Sequence, residues 1–164
     1  MNQKDLFKDN APGEPGPPGQ GPAQEGVWWT LYTDGAARGN PGPAGAGAVL
    51  RDENGDLLAE VSRFLGRGTN NEAEYQGLIF GLEEALGLGA RRLKMRLDSE
   101  LVVKQVSGLY RVKNKRLRPL YQRVMALLQD LETYDILHIR REKNTEADAL
   151  ASRAAVSGAQ RGRK

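Results

Sequence analysis

A change of hydrophobic period part-way along the chain limits its folds more than any other feature. Up to Gly66 the apolar residues recur at strand period; from Thr69 onward the first long apolar pattern is helical. In VWWTLYTD, Trp29, Leu31 and Thr33 alternate with Trp28, Thr30, Tyr32 and Asp34, which predicts a strand with Asp34 at its end. GAGAVLRDENGDLLAEVSRFLG then predicts a hairpin around Asn54-Gly55. Three consecutive antiparallel strands follow from this.

Beyond the switch, Tyr75, Leu78, Leu82 and Leu86 of TNNEAEYQGLIFGLEEALGLGA stand at helical spacing. RLKMRLDS alternates again, a fourth strand ending near Asp98, and LVVKQVSG predicts a short helix. Leu117, Leu120, Tyr121, Val124, Leu127, Leu128 and Leu131 predict a longer helix that tolerates Pro119 only in its first turn. YDILHIR predicts a fifth strand and NTEADALASRAA a closing helix. The order β-β-β-α-β-α-α-β-α predicts an α/β fold: a five-stranded mixed sheet, three antiparallel strands then two parallel ones, flanked by helices.

At 164 residues the chain has the length of one domain. Residues 1–26, with APGEPGPPGQGPAQEG, have the composition of a disordered tail; the domain is expected over 27–157 and a basic C-terminal arm over 158–164. The absence of cysteine excludes disulfides and thiol chemistry, and no apolar run approaches the ~20 residues of a membrane span. A cytoplasmic monomer is expected. The net charge of +3 is uneven: Leu101–Gln129 contains no acidic residue but carries Lys104, Arg111, Lys113, Lys115, Arg116, Arg118 and Arg123. Such a field suits a phosphate backbone.

The glycine-rich TDGAARGNPGPAGAGAVL, from Thr33 to Leu50, closes with no Gly-Lys-Ser or Gly-Lys-Thr and opens no helix, so neither phosphate-loop motif fits. It reads as a side-chain-poor connection that a large ligand can approach, leaving Asp34 unobstructed. Other carboxylates also stand at element ends: Glu72 or Glu74, Asp98 and Asp148. Hard oxygen donors without histidine or cysteine suit Mg²⁺ or Mn²⁺. Each has a capping role as its alternative, and helical projection does not separate Glu72 from Glu74.

TDGAARGNPGPAGAGAVL, TNNEAEYQGLIFGLEEAL, LDSELVVKQVSG and REKNTEADALA together resemble, in order, the four carboxylate segments of ribonuclease H type 1. The resemblance spans about residues 28–156 and implies the ribonuclease H-like fold. It implies hydrolysis of the RNA strand of an RNA/DNA hybrid by two Mg²⁺ ions, with Mn²⁺ as substitute, leaving 5′-phosphate and 3′-hydroxyl ends. Asp34, Glu74, Asp98 and Asp148 are the implied metal ligands, which selects Glu74 over Glu72. Asp34 would bridge both ions, Glu74 and Asp98 would hold the leaving-group side, and Asp148 the side of the attacking water. Gly39, Asn40, Asn70 and Asn71 match hybrid contacts in the minor groove; Arg67, Thr69 and Asn114 match a pocket for a DNA-strand phosphate. The chain lacks the family's basic protrusion after the third carboxylate and the histidine of its last loop, where Arg141 is the expected phosphate-contacting substitute. His138, inside the fifth strand, is expected to be structural. Two alternatives stand beside this reading: a noncatalytic hybrid-binding module, and a nuclease of the same fold that also cuts double-stranded RNA.

Overall fold

The structure, a computed structural model, describes residues 26–161, so the tail expected over 1–26 lies outside it but for Gly26. One sheet runs in the order β3-β2-β1-β4-β5. β1 (Trp29–Ala37), β2 (Gly42–Arg51) and β3 (Leu57–Gly68) are antiparallel, while β4 (Arg92–Leu97) and β5 (Thr133–His138) extend it in parallel on the other side of β1. The helices are α1 (Asn70–Gly87), α2 (Glu100–Val106), α3 (Arg118–Leu128) and α4 (Thr145–Arg161).

Connection length decides the pairing sense. Between β2 and β3, the Asp52 carboxylate accepts the N–H groups of Asn54 (2.8 Å) and Asp56 (2.9 Å), and Gly55 takes φ +86°, closing a turn that reverses the chain. From β3 to β4 and from β4 to β5 the chain crosses over through helices, as parallel pairing requires. Pro119 occupies the first turn of α3, where no helical hydrogen bond is lost.

Alternation along β1 sends successive residues to opposite faces. α1 covers the face of Leu31, Thr33 and Gly35; α4 lies against the face of β2 marked by Gly45 and Gly47. Leu31, Leu50, Leu78, Leu82, Leu93, Met95 and Leu97 are buried, and Val124, Leu127 and Leu128 of α3 join the same core. Each fully buried leucine contributes about 1.5–3 kcal/mol.

The glycine-rich stretch differs from its expected form. The β1–β2 connection is only Arg38–Pro41, with a cis Asn40–Pro41 bond, and strands take up the remainder, so Asp34 lies inside β1 rather than at its end. Alanine and glycine carry no apolar signal from which the strand could be read. What approaches most of these glycines is not a ligand but a helix. A Cβ on Gly35 would stand 2.1 Å from the Ala73 backbone, and Cβ atoms on Gly45 and Gly47 would stand 2.3 Å from the carbonyl oxygens of Ala151 and Ala147. At the far end, residues 158–161, expected in the C-terminal arm, continue α4, with Gly158 buried against Phe64. Among the described residues no helix is long and apolar enough to cross a membrane.

Candidate active site

Three elements bring Asp34, Glu74 and Asp98 together. One carboxylate oxygen from each lies within 4.8 Å of the others. Asp34 sits on β1, the strand hydrogen-bonded between antiparallel β2 and parallel β4, where the sheet changes sense; the residue is 4 % exposed. Asp98 follows β4, whose last residue, Leu97, is in register with Thr33. The strand order also reverses between β1 and β4, and open sheets place ligands outside the carboxyl ends of their strands at such a switch point.

Capping separates the two glutamates that the helical projection leaves equivalent. Thr69 is the N-cap of α1: its Oγ1 accepts the Glu72 N–H (3.1 Å), and Glu72 Oε1 accepts the Thr69 N–H (2.8 Å). Glu72 is thereby committed to the helix start, and Glu74 joins the cluster. Asp98 is likewise free of the capping alternative, because Ser99 caps α2 by accepting the Val102 N–H at 3.3 Å. Asp148, in the first turn of α4, lies outside the three-oxygen group but beside Asp34, near enough that its carboxyl group acts on Asp34's proton affinity.

Burial, followed by the charge of Asp98 and the neighbouring Asp148, pushes Asp34 up to about 8 against the pull of the Gly35 N–H. Burial, then the charges of Asp34 and Asp98, raises Glu74 to about 10. Glu74 Oε1 and Asp98 Oδ2 are buried without a hydrogen-bond partner, and among the described residues no lysine, arginine or histidine forms an ion pair with the cluster. Concentrated negative charge and unpartnered hard oxygens suit a divalent cation such as Mg²⁺ or Mn²⁺.

One residue absent from the sequence reading belongs here. Asn144 is 2 % exposed; its Nδ2 donates to the carbonyl of Thr33 at 2.9 Å, and its own carbonyl accepts the Asp148 N–H at 3.1 Å. It thus ties the start of α4 to the residue before Asp34. In sequence it looks like any asparagine ahead of a helix.

The expected substrate contacts fall in different places. Asn40, Thr69, Asn71 and Asn114 line one cleft of about 230 Å³, together with Arg116. Arg67 lines the adjoining cleft, which shares Glu72 and Arg116 with the first. Asn70 links the β1–β2 turn to α1: its N–H donates to Asn40 Oδ1 (3.0 Å), and its Oδ1 accepts the Ala37 N–H (3.2 Å). Gly39, at φ +93°, lies apart in a groove with Ala36, Arg38 and Ser152. Arg141 opens an exposed 3₁₀ turn, Arg141–Lys143, and among the described residues its side chain makes no hydrogen bond or ion pair. His138 is the exposed last residue of β5. Between α2 and α3 there is no additional helix. The basic field of this region is partly neutralised, since Lys104, Arg116 and Arg123 pair with Glu100, Glu72 and Glu83.

A family model described as reverse transcriptase-like matches residues 32–154. The bifunctional protein Rv2228c of Mycobacterium tuberculosis is 45% identical over 131 residues, 79% of this chain and 36% of that protein. The chain therefore spans little more than a third of that relative's length. The ribonuclease HI of Halobacterium salinarum is 44% identical over 123 residues, 75% of this chain and 62% of that one. Among solved structures, the N-terminal RNase H domain of Rv2228c superposes with a TM-score of 0.77 at 44% identity, covering 79% of this chain and 99% of that one. LC11-RNase H1, solved in complex with an RNA/DNA hybrid, gives 0.76 at 40% identity over 79% of this chain and 98% of that one.

Proposed function

Because the chain belongs to the ribonuclease H type 1 family, we propose that it hydrolyses the RNA strand of RNA/DNA hybrids. The observation that carries this reading is the meeting of Asp34, Glu74 and Asp98 oxygens within 4.8 Å, two of these side chains keeping a buried, unpartnered oxygen. Asp34, Glu74, Asp98 and Asp148 would hold two Mg²⁺ ions, or Mn²⁺ in their place, which when bound supply Lewis-acid stabilisation of the attacked phosphodiester. Water adds to phosphorus and the 3′-oxygen departs with a proton, leaving 5′-phosphate and 3′-hydroxyl ends.

The chain's own residues supply position and charge. Asp34 neighbours the Glu74 and Asp98 carboxylates and also Asp148, which supports a shared role for it. The Oδ1 atoms of Asn40 and Asn70 are already engaged by backbone N–H groups, so their amide nitrogens remain to donate to acceptors in the minor groove, including the 2′-hydroxyl that marks RNA.

The test is a hybrid labelled on each strand, incubated with Mg²⁺ or Mn²⁺ beside matched double-stranded RNA and DNA. Cleavage confined to the RNA strand of the hybrid is expected. Metal-independent binding without cleavage under either ion would leave only the binding module, and equal cutting of double-stranded RNA would leave the broader nuclease.

Asn144→Ala tests the link between β1 and α4. Loss of a buried hydrogen bond should cost about 1–3 kcal/mol in urea denaturation. With Asp148 less firmly placed relative to Asp34, kcat should fall by roughly 10- to 100-fold with KM little changed. A purely structural asparagine would lower stability and leave kcat per folded molecule intact.

A further inference from the structure

We infer that Arg116, steered by Glu72, is the cation that grips a phosphodiester of the bound duplex in the Thr69–Asn114 cleft, an inference that rests on the hybrid reading above. Resemblance alone gives this task to Arg67. In the structure Arg67 lines the neighbouring cleft, whereas Arg116 lines both.

The hydrogen bonds around the cleft leave donors unspent. Asn114 Oδ1 accepts the N–H groups of Arg116 (2.8 Å) and Leu117 (3.1 Å), which fixes the loop and leaves the amide nitrogen to donate. Thr69 Oγ1 accepts the Glu72 N–H, which leaves its hydroxyl proton. Arg116 donates through Nε to Glu72 Oε2 at 2.9 Å, and among the described residues its two terminal nitrogens have no partner. Arg116, Thr69 and Asn114 therefore offer a guanidinium edge, a hydroxyl and an amide around one space, a donor set that matches the oxygens of a phosphodiester.

Glu72 is a positioning residue in this arrangement. Its carboxylate is anchored by accepting the Thr69 N–H at 2.8 Å and the Arg116 Nε–H at 2.9 Å. Its two oxygens are divided between the helix cap and the arginine. The Arg116 side chain is 74% exposed, so a mobile arginine would be expected without that anchor.

The experiment compares Arg116→Ala, Arg116→Lys and Arg67→Ala with the parent, using a fluorescently labelled RNA/DNA hybrid. Equilibrium binding is measured without divalent metal, and steady-state cleavage with Mg²⁺. Arg116→Ala should weaken binding and raise KM roughly five- to tenfold with kcat little changed. The slope of log affinity against log salt should become shallower by about one. Arg116→Lys should recover part of the loss, and Arg67→Ala should lose less.

A single uncharged methylphosphonate is then moved through the DNA strand and, separately, the RNA strand. At one position it should weaken the parent as much as Arg116→Ala does and cost that variant nothing further; the strand carrying that position identifies the source of the phosphate. Unchanged affinity and salt slope in Arg116→Ala, a larger loss in Arg67→Ala, or no position at which the parent and Arg116→Ala converge would overturn the inference. If the hybrid is bound but never cut, the binding comparison still decides the role of Arg116, and only the hydrolysis reading falls.

Discussion

Asp34→Asn is expected to abolish hydrolysis of the hybrid, with kcat reduced at least about a thousandfold, or roughly 4 kcal/mol of transition-state stabilisation. The substitution keeps nearly the same shape and removes the one charge that neighbours both Glu74 with Asp98 and Asp148. Because the amide is neutral, the fold should persist. Hybrid binding measured without metal near neutral pH should hold, since the raised proton affinity of Asp34 already leaves little charge there for the substitution to remove. Glu74→Gln should behave in the same way, whereas Glu72→Gln should weaken the α1 cap and the hold on Arg116 without a comparable loss in kcat. Residual activity above a tenth of the parent's in Asp34→Asn would remove this residue from the catalytic centre.

The second large effect is on stability. Asp34 and Glu74 are both displaced upward, to about 8 and about 10, so the folded protein retains protons that the unfolded chain has released. The stability contributed by the two protonated carboxyls is complete below the ordinary carboxylate range and is lost as pH rises through the folded values. The metal-free protein should therefore lose ~5 °C or more in Tm between pH 6 and pH 9. A divalent cation binds the deprotonated form, so the gain in Tm on adding Mg²⁺ should grow over the same interval. Asp34→Asn should flatten both trends. A metal-free Tm that is level across this interval, together with a Mg²⁺ gain independent of pH, would contradict the raised values.

The sequence made the fold legible wherever side chains differ strongly in polarity. β4, α1 and α4 follow directly from the periods of Leu93-Met95-Leu97, Leu78-Leu82 and Leu150-Ala154. The strands around Arg38–Pro41 were obscured because alanine and glycine neither mark a face nor set a period. Within the site, the segments bearing the four carboxylates were visible, but only the resemblance chose Glu74 over Glu72, because periodicity does not register the cap at Thr69 that engages Glu72. Arg116 was visible only as one cation of a basic run. Its partner is 44 residues away, as Arg123's is 40 residues away, and such pairings exist only once α1 and the chain leading into α3 meet. Asn144 was missed for the same reason: its partner on β1 lies 111 residues earlier.

Main-chain contact sets the spacing between β1 and α1 beside the cluster. A Cβ on Gly77 would lie 2.4 Å from the Asp34 carbonyl oxygen, and Gly35 meets Ala73 just as closely. Glu74 sits immediately after Ala73 and one helical turn before Gly77, so its distance from Asp34 is gauged by backbone against backbone. Exchanges among the leucines and valines farther along the helix can alter how firmly the domain holds together while leaving that gap in place. A core redesigned for heat resistance should thus keep its cation affinity as long as these two glycines are left alone.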